Sequence, residues 1–347
     1  MDFTIYKKAT ILETLKKIEE LSQNTTKIAF VVDENKKVIG SISDGDCRRG
    51  LIKGKQLSSP VTDIMNTSYT YLFRNKYDID VIHKIRLLGI KYVPELNNDG
   101  TLSQVLDFSD GKSYVPVDAV MMAGGKGERL RPLTLDTPKP LLKVADKPII
   151  DYNIENLLNS GINHINVTVN YLGEQLESHF KVPINGIQIK TIREPKFLGT
   201  IGSIKFVNEW YNDTILLMNS DLFTNIDIEA FYMHFLKHNA DMSVAGVPYN
   251  VNIPYGIFEL ENTREIKGIT EKPSFHYYAN AGIYLIKREL LNLIPPDVFF
   301  NATDFMDTLI KNKKKVIRFP ITGYWIDIGK PDDFKNVQEF ARNIKKA

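Results

Sequence analysis

Val117-Asp118-Ala119-Val120-Met121-Met122-Ala123-Gly124-Gly125-Lys126-Gly127-Glu128-Arg129-Leu130-Arg131-Pro132 sets an apolar run directly against three glycines and three basic side chains. The apolar run predicts a buried strand over 118–123, and the glycines let backbone N–H groups come close to a ligand. Lys126, Arg129 and Arg131 supply the charge that a polyphosphate needs, so the loop reads as a nucleoside triphosphate cradle. A lone Gly-Gly-x-Gly also fits a surface turn. The loop matches neither common phosphate motif: a dinucleotide fingerprint needs glycine or alanine where Leu130 stands, and a P-loop needs serine or threonine where Gly127 follows Lys126.

Outward from the loop, apolar runs and helical spacing alternate. Strands are expected at 118–123, 165–170, 187–192, 215–218 and 242–247, and helices at 149–159, 173–180, 200–210 and 228–238. The alternation predicts an α/β fold with a Rossmann-like, doubly wound, mostly parallel mixed sheet, in which ligands sit at the carboxyl ends of strands. The glycine loop lies at such an end.

Asp221 follows the apolar run Thr214-Ile215-Leu216-Leu217-Met218-Asn219-Ser220 and should emerge on the same edge, where it either holds a divalent cation or caps the next helix. Asp327, in Trp325-Ile326-Asp327-Ile328-Gly329, is a carboxylate among apolar neighbours and needs either that cation or a basic partner. Lys139 lies between Pro138 and Pro140, which stiffen the chain on both sides, and Glu271-Lys272-Pro273 repeats the device. Each lysine alone fits a solvated charge. With the loop and the two aspartates, they make a consistent phosphate-transfer site.

Ahead of the loop, one pattern occurs twice. A helix at 10–23, a strand at 28–32, a polar turn and a strand at 38–42 are followed by a helix at 79–88, a strand at 91–96, a turn at 97–100 and a strand at 102–106. A repeat of roughly fifty residues implies two like modules packed together. Ser43-Asp44-Gly45-Asp46 opens a helix, so an N-cap at Ser43 or Asp44 accounts for part of it. Glycine, serine and proline within 109–116 mark a boundary between domains 1–112 and 116–347.

With 347 residues and 43% hydrophobic content, the chain can bury at least one large core. A net charge of +2 points to no nucleic-acid or membrane partner, so attraction for phosphate must be local. The single cysteine, Cys47, excludes an intrachain disulfide, no Cys/His cluster has zinc spacing, and no apolar run approaches the roughly 18 residues of a membrane span. A soluble, cytoplasmic protein is expected.

The segment from Ala123 to Thr134, Thr137-Pro138-Lys139-Pro140-Leu141, Leu198-Gly199-Thr200-Ile201-Gly202-Ser203, Asn219-Ser220-Asp221, Glu271-Lys272-Pro273, Asn280-Ala281-Gly282-Ile283-Tyr284 and Trp325-Ile326-Asp327-Ile328-Gly329 together resemble the sugar-1-phosphate nucleotidylyltransferases. The resemblance covers about residues 116–343, and Glu128 departs from it where many members carry threonine or serine. It implies the nucleotide-diphospho-sugar transferase fold and a reaction of a nucleoside triphosphate with a sugar 1-phosphate, giving pyrophosphate. It also implies roles. Arg129 and Lys139 would hold the triphosphate and leaving pyrophosphate, Lys272 the sugar phosphate, and Asp221 with Asp327 a magnesium ion. Ala123, Gly124, Gly125, Gly127, Asn170, Gly199 and Thr200 match the nucleotide-contacting surface, and Gly256, Glu271, Asn280 and Gly282 match sugar-contacting positions.

The N-terminal repeat resembles a CBS pair, which implies an adenine or guanine nucleotide held by Ser43 and Asp46. The combination is most similar to a bacterial subgroup of glucosamine-1-phosphate and mannose-1-phosphate guanylyltransferases, which favours GTP and implies a homo-oligomer. The competing readings are a nucleotide-sensing protein with an inactive transferase domain, against which intact Arg129, Lys139, Asp221, Lys272 and Asp327 argue, and a thymidylyl-, uridylyl- or cytidylyltransferase.

Overall fold

The structure, a computed structural model, describes residues 2–22, 27–74, 77–109 and 112–344. Gln23, at the end of the first expected helix, and Asp110, the second repeat's counterpart of Asp46, lie outside them. Contacts divide the chain into two compact units, Met1–Tyr114 and Val115–Ala347.

The first unit contains β1 (Thr4–Tyr6), α1 (Ile11–Ser22), β2 (Ile28–Val32), β3 (Val38–Ser43), α2 (Asp44–Ile52), β4 (Leu72–Phe73), α3 (Ile79–Leu87), β5 (Tyr92–Leu96) and β6 (Leu102–Asp107). Two three-stranded sheets result, β1-β2-β3 and β4-β5-β6, each with a parallel pair followed by an antiparallel one. The ladder slips at the same place in both, between Val31 and Val32 and between Glu95 and Leu96. The sequence repeat is therefore a structural β-α-β-β repeat, whose short first strands periodicity did not reveal. Apolar spacing explains α1, which buries Ile11, Ile18 and Leu21 against Ala29, Val31 and Ile42. A second cluster, Phe30, Val32 and Val38 with Leu96, joins the copies. At about 1.5–3 kcal/mol for each fully buried large side chain, these contacts outweigh anything a surface ion pair adds.

The second unit continues with β7 (Asp118–Ala123), the hairpin β8 (Lys143–Val144) and β9 (Lys147–Pro148), α4 (Ile149–Asn159), β10 (Ile165–Val169), α5 (Gly173–His179), β11 (Lys190–Arg193), β12 (Thr214–Asn219) and β13 (Leu222–Thr224). It ends with α6 (Ile228–Lys237), β14 (Met242–Asn252), β15 (Ile257–Leu260), β16 (Ile266–Thr270), β17 (Ser274–Lys287), α7 (Ala302–Lys311), β18 (Val316–Pro320), β19 (Trp325–Asp327) and α8 (Pro331–Ile344). Seven strands form one mixed sheet in the order β11-β10-β7-β12-β17-β14-β18. β11, β10, β7 and β12 are mutually parallel, β17 runs antiparallel to both neighbours, and β14 and β18 are again parallel.

Five of the six residues of β12 are buried, as expected of a central strand covered on both sides. Its residues Ile215 and Leu217 pack with Val244, Ile286 and the inner face of α7, Phe305 and Leu309.

Two expectations are corrected. The chain at 200–210 is not an α-helix; only Gly202–Phe206 turns, as a 3₁₀ helix. Buried Asp118 accepts hydrogen bonds from the backbone N–H of Tyr211 (2.8 Å) and Asn212 (3.0 Å), and this anchor draws the chain out of a helical path. The strand expected at 187–192 is displaced to Lys190–Arg193, because Ile184 and Ile187 bridge across a turn at Asn185-Gly186, both with positive φ.

Candidate active site

Asp118 to Ala123 forms β7 between β10 and β12, and the glycine loop leaves its carboxyl end, where the next turn begins at Gly127 in a left-handed conformation (φ 61°). Thr134 Oγ1 donates to the Gly127 carbonyl (2.9 Å), and Tyr171 Oη donates to the carbonyls of Thr134 and Leu135, so the far side of the loop is tied to the segment after β10. Leu130 is buried in a cluster with Ile149, Phe223, Ile328 and Val337. That packing sets Arg129 beside the β19 end of the chain, with its guanidinium and Asp327 Oδ2 each 3.5 Å from the point where a Gly329 side chain would begin.

Asp221 and Asp327, far apart in sequence, meet because β13 and β19 pair antiparallel, with Leu222 opposite Asp327. The Asp221 carbonyl also accepts from the Ile328 N–H (3.4 Å). Lys139 is only 8% exposed and donates from Nζ to Asp221 Oδ2, with Asp327 Oδ1 at 4.0 Å. Burial, and then the neighbouring Asp221 charge, raise the Asp327 carboxyl above the ordinary aspartate range, against the opposing pull of Lys139 and Arg129. Two carboxylates thus face one ammonium and one guanidinium.

A cleft of about 550 Å³ opens here. Its lining includes Ala123, Gly124, Gly125, Gly127, Arg129, Lys139, Asn170, Gly199, Thr200 and Asp221, all singled out from the sequence. Asp327 adjoins it through Lys139. Asn280 and Gly282 lie on β17 next to the cleft floor: Asn280 Oδ1 accepts from the Gly282 N–H (2.9 Å), and Gly282 sits against the lining residue Asn219. The Trp325 indole donates to the Ala281 carbonyl (2.9 Å), joining that strand to β19.

Gly256, Glu271 and Lys272 are not on the lining. Gly256 and Glu271 are neighbours on the β15–β16 hairpin, with Glu271 Oε2 2.9 Å from a Cβ placed at Gly256, and Lys272 follows in a left-handed turn (φ 43°). Ser43 and Asp46 belong to the first unit, where they form a capping box on α2: Asp46 Oδ2 accepts from Ser43 N (2.8 Å) and Oγ (2.6 Å), and Arg49 pairs with Asp46. The N-cap accounts for both residues locally.

Sequence reasoning missed Glu194 and Phe197 and gave no role to Asn219 and Ser220 beside Asp221; all four are on the lining. Glu194 is 5% exposed, accepts from the Leu198 N–H (3.3 Å), and stands so close to Gly124 (2.6 Å to an added Cβ) that any side chain there would collide with it. Burial raises its carboxyl above the ordinary range, only partly offset by the Leu198 amide. A carboxylate ending a parallel strand was a readable signal, hidden because that strand was placed too early. Thr200, assigned to nucleotide contact, also docks the loop: its Oγ1 accepts from the first amide of α7, Ala302 N (2.8 Å).

A glycine loop, two cations and a pair of aspartates gathered at one cleft suit a polyphosphate with a cation beside it. Similarity to known proteins gives the chain a family. The chain is 32% identical over 225 residues to a Sulfolobus acidocaldarius protein named for mannose-1-phosphate guanyltransferase, covering 64% of this chain and 62% of the relative. It is 31% identical over 231 residues to the bifunctional protein GlmU of Methanocaldococcus jannaschii, covering 65% of this chain and 54% of that one. The chain thus spans less than two thirds of the length of these curated relatives. The crystal structure of HddC from Yersinia pseudotuberculosis complexed with GMP-PN matches with a TM-score of 0.51 at 25% identity, over 65% of this chain and 99% of that one. Residues 118–344 match the nucleotidyl transferase family, and by that match, which takes in the whole cleft, the chain belongs to it.

Proposed function

We propose that this protein transfers a nucleoside monophosphate from a nucleoside triphosphate, with GTP favoured, to a sugar 1-phosphate of the glucosamine-1-phosphate or mannose-1-phosphate type. The products are an NDP-sugar, for surface glycan or nonulosonate synthesis, and pyrophosphate. The observation that carries this reading is the meeting of Arg129, Lys139, Asp221 and Asp327 beside the glycine loop at the carboxyl end of the parallel strands.

In this reaction an oxygen of the sugar phosphate, already anionic at neutral pH, forms a bond to the α-phosphorus. The bond from that phosphorus to its bridging oxygen breaks, and pyrophosphate leaves with the electron pair. No general base is required, so the site supplies alignment and charge neutralisation. Arg129 and Lys139 face the triphosphate and the leaving pyrophosphate, and Lys272 holds the incoming sugar phosphate. Lys272 takes that role from the resemblance of Glu271-Lys272-Pro273, on the segment where Glu271 stands against Gly256.

Asp221 and Asp327 fit magnesium, a hard cation that takes one or two carboxylates and completes its shell with phosphates and water. When bound, the ion neutralises phosphate charge.

Glu194 supports the preference for guanine. An ionised carboxylate is acceptor-only and matches the two adjacent donors, N1–H and the 2-amino group, on guanine's pairing edge. Adenine offers an acceptor at N1. The name of the Sulfolobus relative and the nucleotide in the HddC structure agree with this reading. Pyrophosphate release measured for four triphosphates against several sugar 1-phosphates tests it: GTP with a hexose or hexosamine 1-phosphate should give the highest rate, and no release from any pair would contradict it.

The N-terminal unit is read as a CBS-type pair that binds an adenine or guanine nucleotide and adjusts the transferase. Its two like copies support this, as does a cavity of about 500 Å³ lined at matching positions by Lys27 and Ile28 of one copy and Lys91 and Tyr92 of the other. The two lysines, more than the capped Ser43 and Asp46, offer charge for a phosphate.

A further inference from the structure

The chain reaches the catalytic cleft just past the carboxyl ends of β10 and β11, at Asn170 and Glu194. At their amino ends the same two strands line a second cleft, of about 650 Å³, whose residues all belong to the second unit. Asn166 of β10 and Lys190 of β11 are register partners there and share one face of the sheet. The rest of the lining comes from the segment 206–211. This is the stretch that Asp118 holds out of a helical path by accepting the amides of Tyr211 and Asn212. The anchor thus breaks a local preference and, in doing so, keeps the segment on the lining, and such breaks of local preference gather at functional sites.

Asn166 is only 6% exposed, and its side-chain amide has no hydrogen-bond partner among the described residues. A buried amide left unpaired is costly, so its partner comes from whatever fills the cleft. Asn163, Gln188 and Asn208 add three more carboxamides to the lining. Gln188 donates from Nε2 to the carbonyls of Phe180 (2.6 Å) and Ile189 (3.2 Å), which leaves Oε1 as an acceptor. Lys190 is paired with Glu209 (2.6 Å), which also accepts from Tyr211 Oη (3.1 Å). No lysine or arginine of the lining is therefore left over for a phosphate. Tyr211, 57% exposed, stacks on His164 with ring centroids 3.8 Å apart and planes 13° from parallel, and so offers a flat apolar surface beside the carboxamides.

We propose that this second cleft binds an uncharged sugar, separately from the transferase site. Each hydroxyl of a sugar is at once donor and acceptor, which is what a set of carboxamides with no net charge can satisfy. The carbon–hydrogen face of a pyranose ring packs on the Tyr211–His164 stack as on any aromatic surface. A nucleotide would find no unpaired cation for its phosphate, and a free base would leave most of the carboxamides unused. The volume falls within the about 300–1,000 Å³ of ordinary small-ligand sites. The inference does not depend on the reaction proposed above.

Saturation-transfer NMR of the full chain with the methyl α-glycosides of glucose, mannose and N-acetylglucosamine tests it. These probes are uncharged and carry no phosphate, the group that Lys272 is assigned to hold. At least one should bind. Asn166→Leu, which keeps the volume and removes both hydrogen-bonding groups, should weaken that binding about tenfold or more. Tyr211→Ala should do the same by removing the stacking surface, and thermal melts check that both variants fold. Should Asn166→Leu unfold the chain, Tyr211→Ala, at an exposed position, decides alone. No glycoside bound, or binding unchanged in the folded variants, would overturn the proposal. Binding of adenosine that the same substitutions weaken, with no glycoside bound, would give the cleft to nucleosides and equally overturn it.

Discussion

Glu194 shows how one residue can be both costly to the fold and decisive for the ligand. It is a buried carboxylate with no basic side chain among its hydrogen-bond partners, so the protein tolerates a desolvated acid at the wall of the cleft. Glu194→Gln should keep the volume and replace one acceptor by a donor. A matched bidentate contact to a base is worth about 1–3 kcal/mol of discrimination, so the preference for GTP over ATP should fall by about five- to 150-fold. Base reading needs the ionised form, and burial raises this carboxyl's pKa. The KM for GTP should therefore climb as pH falls, starting from a higher pH than an ordinary glutamate would give. That slope should be absent in the glutamine variant; an unchanged GTP:ATP ratio would remove the residue from base recognition.

At the scale of elements, the sequence spoke most clearly where local pattern and tertiary burial agreed. Ile149–Asn159 has apolar spacing on one face and became α4 with the expected ends, while the continuous apolar run 215–218 became the middle of the central strand Thr214–Asn219. It was silent where a distant group decided the outcome. Nothing between 200 and 210 announces that Asp118, at the start of β7, will accept the amides of Tyr211 and Asn212. Likewise, Asp221 and Asp327 could be nominated from their strand-end positions, but their meeting depends on the pairing of two three-residue strands too short for any periodicity. Asp118→Ala would leave two backbone donors and the Asn212 side chain without their acceptor. These donors are only part-buried, so at about 0.5–1.5 kcal/mol for each hydrogen bond lost, a fall of several degrees in Tm is expected in a thermal melt. A melt indistinguishable from wild type would mean that the anchor is dispensable.

For the whole molecule, two units imply two kinds of work. The second holds every residue assigned to chemistry; the first holds a repeated β-α-β-β fold with a lysine from each copy at one cavity. Calorimetry of the full chain should show a second equivalent of adenine or guanine nucleotide, beyond the one held at the glycine loop, that Lys27→Ala with Lys91→Ala removes, while the Asp46→Ala change mainly removes a helix cap worth about 1 kcal/mol. Coupling to turnover should lie within about five- to 150-fold. Unaltered binding in the double variant would place the nucleotide elsewhere.

The central claim is that the paired aspartates serve phosphoryl transfer. The most direct measurement is the steady-state rate of pyrophosphate release from GTP and the best sugar 1-phosphate at limiting magnesium, by the full chain and by Asp221→Asn and Asp327→Asn. Removing a group that stabilises transition-state charge typically costs about a hundredfold or more in kcat, and each variant should lose that much while its melting curve stays cooperative. Turnover near the wild-type rate in both variants would contradict the account.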